Sequence, residues 1–138
     1  MLIRNYKRED YDSVISLYKD TTTYGGQFDE DRDSSERLEK LSNTKPDAIL
    51  VAEDNGNIVG TVTLLEDGRS AWLFRFAVAE NSVDVARELY LKAVEILKSK
   101  GHKQILVYSP RGVKQFEKRY NELGLSKGGD YTCYWREL

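Results

Sequence analysis

Few side chains in this 138-residue sequence combine reactivity with an informative position. Tyr120 is one. A phenol has an ordinary pKa of about 10, so it stays protonated at neutral pH and can donate a proton. The same tyrosine falls on the apolar stripe Val113, Phe116, Tyr120 and Leu123, where helical spacing alone explains an aromatic ring. Arg75 lies in an apolar stretch. Facing a cleft it would bind a carboxylate, as on an amino-acid-like ligand; on an outer face it is simply solvated. Between Val78 and Arg87, Ser82 carries a hydroxyl suited to capping a helix, and Asp84 puts a carboxylate in that helix's first turn. Such a carboxylate stabilises a helix by about 0.3–1 kcal/mol and repels an anion bound at the same end.

The chain holds one cysteine, Cys133, and one histidine, His102. No internal disulfide or Cys/His metal cluster can be built from them, and no Asp/Glu spacing matches a known metal loop, so no metal is expected. His102 follows a helix-ending glycine and reads as a surface residue. Hydrophobic residues make up 40% and charged residues 32%, the balance of a folded soluble domain. The length suits one domain, 1–138. Met1-Leu2-Ile3 runs at once into Arg4 and Lys7, which is neither a signal peptide nor a membrane span. A cytoplasmic location without a membrane partner is the expectation. A net charge of −2 argues against a nucleic-acid partner. Residues 1–86 carry 10 Lys/Arg against 17 Asp/Glu, and residues 87–138 carry 11 against 6. That asymmetry suits a cationic acceptor and an anionic cofactor, or it is only solvated helix charge. Lys114, Lys118 and Arg119 lie on the polar side of their helix, where they either approach the phosphate of an anionic cofactor or, more simply, are solvated.

Leu2–Tyr6 reads as a strand. Tyr11, Val14, Ile15 and Tyr18 share one helical face. Thr21 to Gly26 breaks that helix, and Asp29–Asn43 reads as a charged surface helix ended by Pro46. Ala48–Ala52, the Asn55-Gly56 turn and Ile58–Leu65 form a hairpin. Ser70–Val78 is the next antiparallel strand, with Trp72, Phe74, Phe76 and Val78 expected on one face and Leu73, Arg75 and Ala77 on the other. Ala86, Leu89, Tyr90, Ala93, Val94 and Leu97 mark a long amphipathic helix stopped at Gly101. Gln104–Tyr108 reads as a buried strand, Val113–Leu123 as a helix, and Tyr131–Trp135 as a last strand. Consecutive hairpins followed by a strand–helix–strand unit require a mixed α/β sheet.

That order resembles the fold of the GNAT superfamily of N-acyltransferases over essentially the whole chain. Ile3-Arg4 with Asp10, Val14 and Leu17 is similar to its opening strand and helix. Ile49–Asp54 followed by Asn57-Ile58-Val59-Gly60 is similar to its central hairpin. Tyr120-Asn121-Glu122-Leu123-Gly124-Leu125 resembles its Tyr-x-x-Leu-Gly-Phe signature.

The resemblance implies acetyl transfer from acetyl-CoA to the amine of a small or amino-acid-like acceptor. It implies a bulge that splays two strands, with Phe76, Ala77 and Val78 pairing with the pantetheine arm. It implies that Ser82, Val83, Asp84, Val85, Ala86 and Arg87, opening the next helix, hold the pyrophosphate. Tyr120 takes the general acid's place, and the wall of the acceptor cleft falls near Tyr24, Phe28, Arg75 and Tyr131. A homodimer through the last strand is also implied. The sequence departs from the family most at one loop. The Arg/Gln-x-x-Gly-x-Gly/Ala loop is replaced by Ala79-Glu80-Asn81-Ser82-Val83-Asp84-Val85-Ala86-Arg87, which has no glycine. Either the chain is an enzyme with altered cofactor binding, or it is a catalytically impaired sensor or interaction module.

Overall fold

The computed structural model describes residues 1–20 and 28–138, which fall into two compact units, 1–108 and 109–138. The first unit is built on a five-stranded sheet in chain order: β1 (Leu2–Asn5), β2 (Ile49–Asp54), β3 (Asn57–Glu66), β4 (Ala71–Val78) and β5 (Leu106–Val107). The first three pairings are antiparallel and β4 pairs with β5 in parallel, so the sheet is mixed as the element order requires. Two-residue hairpins need antiparallel neighbours, and only the helical crossover can return a parallel strand.

Helices α1 (Tyr11–Lys19) and α2 (Ser35–Thr44) contribute Val14, Ile15, Leu17, Tyr18 and Leu38 to one face of the sheet, where they meet Ile49, Val51 and Ala77. Helix α3 (Val83–Ser99) covers the other face with Ala86, Leu89, Ala93 and Leu97. Arg4 ties β1 to the start of α1, its guanidinium donating two bonds to Asp10 at 2.7 and 2.9 Å and one to Glu53 at 2.7 Å. Burial pushes the Asp10 carboxyl up, but Arg4 and the Lys7 N–H outweigh it and hold it below the usual carboxylate range.

Several expectations are corrected. Asp29–Asn43 is not one helix: α2 begins after Ser34, whose hydroxyl accepts from the Arg37 N–H. Asp29 accepts from the Asp31 and Arg32 N–H groups, and Asp33 accepts from the Asp29 N–H. These short side chains offer the backbone an alternative to the helix ladder. The strand at Gln104–Tyr108 shrinks to Leu106–Val107 and is half-buried. His102 is buried rather than on the surface, 3.0 Å from Glu66.

In the second unit, α4 (Lys114–Glu122) buries Phe116, Tyr120 and also Arg119, which does not lie on a solvated face. Tyr131–Trp135 forms no strand. Residues 126–138 are exposed throughout and have no ladder partner, without which β-propensity has nothing to act on. Among the described residues no helix is long and apolar enough to cross a membrane, and no metal-holding group of His, Cys, Asp and Glu occurs.

Glu66 closes the turn between β3 and β4. It accepts from the Gly68 N–H, and Lys45 donates to both its side chain (3.1 Å) and its carbonyl (2.7 Å). His102 and then Lys45 hold its pKa at about 2, below the ordinary 4.5. A lowered carboxylate pKa stabilises the fold above the unfolded value, and that stability is lost as pH falls through the folded value. Glu66→Gln should therefore cost roughly 1–3 kcal/mol at neutral pH and flatten the loss of stability from pH 4.5 down to 2. Urea unfolding across that range checks it; an equally steep loss in the variant would remove Glu66 as the cause.

Candidate active site

The site is organised by β4. Its antiparallel register with β3 runs Leu64↔Leu73 and Thr63↔Phe74, then resumes at Thr61↔Ala77 and Gly60↔Val78. Two steps on β3 therefore face three on β4, so one residue is inserted into β4. Arg75 marks it, with φ of +50°. Residues directly opposite point to the same face. The insertion leaves Trp72, Phe74 and Ala77 on the α1 face and turns Phe76 and Val78 to the α3 face with Leu73. The unbroken alternation expected from the sequence is thus overturned after Phe74.

On its other side, β4 pairs with β5 only at Trp72↔Leu106 and Leu73↔Val107. The Tyr108 ring stacks on Trp72 at 4.7 Å just past that ladder. Strand β4 runs on beyond it through Phe74–Val78 to the start of α3. A bulge and a short parallel ladder together let two neighbouring strands diverge.

Arg75 is neither solvated nor turned to an open cleft. It is 3% exposed, and its Nε and Nη2 donate to the two carboxylate oxygens of Asp33 at 3.1 and 2.8 Å. Its guanidinium lies 4.7 Å over the Phe74 ring and 5.7 Å over that of Tyr18. Asp33 also receives the Asp29 N–H, and its carbonyl accepts from the Tyr11 hydroxyl at 2.9 Å. Removing one partner from a pair this buried costs about 3–5 kcal/mol, because the other charge is stranded.

The segment joining β4 to α3 is a single 3-10 turn, Ala79–Asn81, in which Glu80 and Asn81 both take left-handed backbone (φ 53° and 52°). Ser82 caps α3 as its position suggested, accepting from the Val85 N–H at 3.4 Å. The Ala86 N–H is taken by the Ser82 carbonyl. Among the described residues no acceptor takes the first-turn N–H groups of Val83 and Asp84. The Asp84 side chain is 88% exposed and lies 3.8 Å from Arg87.

Gly60 fixes how closely α3 approaches the sheet. A Cβ there would lie 2.7 Å from Val85, 2.9 Å from Leu89 and 3.2 Å from Val78. A glycine inside a strand is the sequence signal for such an approach. Asp33 had no comparable signal, being one acidic residue in a charged run.

Phe28 is half-buried against the α1-side core, with the Lys19 ammonium 4.6 Å above its ring. Tyr24 lies outside the described residues. In the second unit Tyr120 is buried on α4, with its carbonyl accepting from the Leu125 N–H, and Tyr131 is 85% exposed. Phe76–Val78 and Val83–Arg87 therefore come together through β4, Ser82 and α3.

The model of the Acetyltransferase (GNAT) family matches residues 11–114, about three-quarters of the sequence. The chain belongs to the GNAT acetyltransferase family. Its GNAT fold is shared with the PaiA N-acetyltransferase of Thermoplasma acidophilum solved with coenzyme A. That match has 22% identity and a TM-score of 0.70 over 87% of this chain and 86% of that one. AAC(6')-Iy bound to the bisubstrate analogue CoA-S-monomethyl-acetylneamine matches at 15% identity and a TM-score of 0.77, over 99% and 98%. A Pyrococcus horikoshii chain matches at 18% identity and a TM-score of 0.61; this chain is covered over 85% but spans only 41% of that one. No curated protein matches at the sequence level.

Within this GNAT fold, Gly60→Ala should push the start of α3 off β3 and cost about 1–3 kcal/mol through overpacking. Chemical denaturation measures it, and a neutral substitution would mean that the contact with Val85 and Leu89 is slack.

Proposed function

We propose that this chain transfers an acetyl group from acetyl-CoA to the amine of a small or amino-acid-like acceptor. The observation that carries the proposal is the course of β4: bulged at Arg75, released from β5 after Leu73, and leading through one short turn to a helix N-terminus. Acetyl-CoA supplies an activated acetyl thioester. Backbone groups of Phe76, Ala77 and Val78 would pair with its arm as an added strand does. The Val83 and Asp84 N–H groups fit its pyrophosphate, since first-turn amides and the helix dipole attract anions. Coenzyme A bound to the PaiA enzyme and the acetylated aminoglycoside analogue bound to AAC(6')-Iy support this cofactor and a small amine acceptor.

In the reaction, the acceptor nitrogen would form a bond to the thioester carbonyl carbon and the carbon–sulfur bond would break. A backbone amide of β4 would polarise the carbonyl, the family resemblance gives Tyr120 the role of proton donor to the departing thiolate, and an unassigned base or water would take the proton shed by the amine. Neither a metal nor a nucleic-acid partner enters this scheme.

A second reading, a sensor or interaction module without transfer activity, is favoured by one observation. Glu80 and Asp84 bring two carboxylates to the end where the pyrophosphate would sit, and non-glycine residues occupy the left-handed turn.

Thermal melting with acetyl-CoA separates the two. At 100 times its dissociation constant it should add about 2.7 kcal/mol of stability. The absence of a shift at millimolar concentration would leave the sensor reading. Tyr120→Phe should bind acetyl-CoA normally and turn over on the order of 100-fold more slowly; undiminished turnover would end its role as acid. Asp84→Gly should tighten acetyl-CoA binding several-fold, the ~0.3–1 kcal/mol of one charge at a helix end. Weaker binding would show that Asp84 does not face the anion.

A further inference from the structure

Building on the acetyl-CoA reading, we propose that Asp33 is a positioning residue for the cofactor strand: its carboxylate holds Arg75 in the bulge that turns Phe76–Val78. The left-handed conformation at the inserted position of such a bulge is ordinarily taken by glycine, because a Cβ clashes with the backbone there. Here an arginine takes it. Left to itself, Arg75 favours extended backbone. An unbulged β4 would return Phe76 and Val78 to the α1 face, since a one-residue slip exchanges the faces.

Two bonds from Arg75 to Asp33, at 3.1 and 2.8 Å, oppose that slip. Both charges are buried, with side-chain exposures of 3% and 4%, so neither can exchange its partner for water. Asp33 is itself clamped, by the Asp29 N–H on its carboxylate and by the Tyr11 hydroxyl on its carbonyl. The ion pair thus sets the direction of the backbone that would carry the cofactor arm, from a turn 42 residues away in sequence.

The test uses a substitution that removes the need for the pair. Glycine accepts the left-handed φ without help, so Arg75→Gly should keep the bulge with no ion pair. Asp33→Asn should weaken acetyl-CoA binding on the order of ten-fold, the scale of a small misplacement of site geometry. The double variant Asp33→Asn/Arg75→Gly should regain the lost affinity. Calorimetric titration reads both.

A role confined to stability would lower the melting temperature of Asp33→Asn while the folded protein bound acetyl-CoA with unchanged affinity, and that result overturns the proposal. If Asp33→Asn does not fold, the double variant decides. It must match Arg75→Gly in affinity, and a ten-fold deficit would mean that Asp33 acts by another route. If the unaltered protein binds no acetyl-CoA, the transferase reading fails by itself, and amide exchange in the free protein still judges the inference. Exchange at Phe76–Val78 should quicken in Asp33→Asn and slow again in the double variant. Unchanged exchange overturns it.

Discussion

One inserted residue in β4 governs the geometry of the first unit. Before Arg75 the strand presents Trp72 and Phe74 to α1; after it, Phe76 and Val78 turn to α3. The core on each face is complete only with that change of parity, because Ala77 then packs with Val14, Tyr18 and Val51, while Val78 meets the α3 side of Gly60. Left-handed backbone at a residue with a Cβ costs about 1–2 kcal/mol. It persists because the guanidinium is bound by Asp33 and lies over the rings of Phe74 and Tyr18.

The ion pair's worth lies in selecting a register rather than in net stability. Burying two charges costs several kcal/mol each, and their mutual attraction only about repays it. An apolar pair of similar volume would fill the space as well. It would not distinguish the bulged strand from the straight one, whereas the carboxylate of Asp33 meets the guanidinium where Arg75 points back toward α1. The same logic explains why the 29–33 turn interrupts what the sequence reads as a helix. Asp29 and Asp33 spend their oxygens on nearby N–H groups and on Arg75.

At the other end of β4 the electrostatics pull in opposite directions. The open amides of Val83 and Asp84 and the helix dipole attract an anion, while the Asp84 carboxylate and Glu80 weaken that attraction. Asp84 is well exposed and near Arg87, so solvent and the guanidinium screen much of its field. Gly60 lets α3 close onto β3, which puts those amides where β4 ends. A glycine on the partner strand thus does part of what a glycine-rich loop would do, by bringing the helix close rather than by freeing the turn.

The sequence by itself determined the local elements. Apolar period set α1, α3 and α4; Asn55-Gly56 set the β2–β3 hairpin; Ser82 set the cap of α3; and the order of these elements set a mixed sheet of the GNAT type. Those features depend on residues near one another along the chain. The bulge, the brevity of β5, the burial of His102 against Glu66 and the partner of Arg75 were decided by tertiary structure. Each depends on groups distant in sequence, and nothing in the run Asp29-Glu30-Asp31-Arg32-Asp33 distinguishes the one carboxylate that ends up buried. Alternating apolar residues fix a strand's faces only while its register is unbroken, and where that register breaks is settled by the partner that waits across the fold.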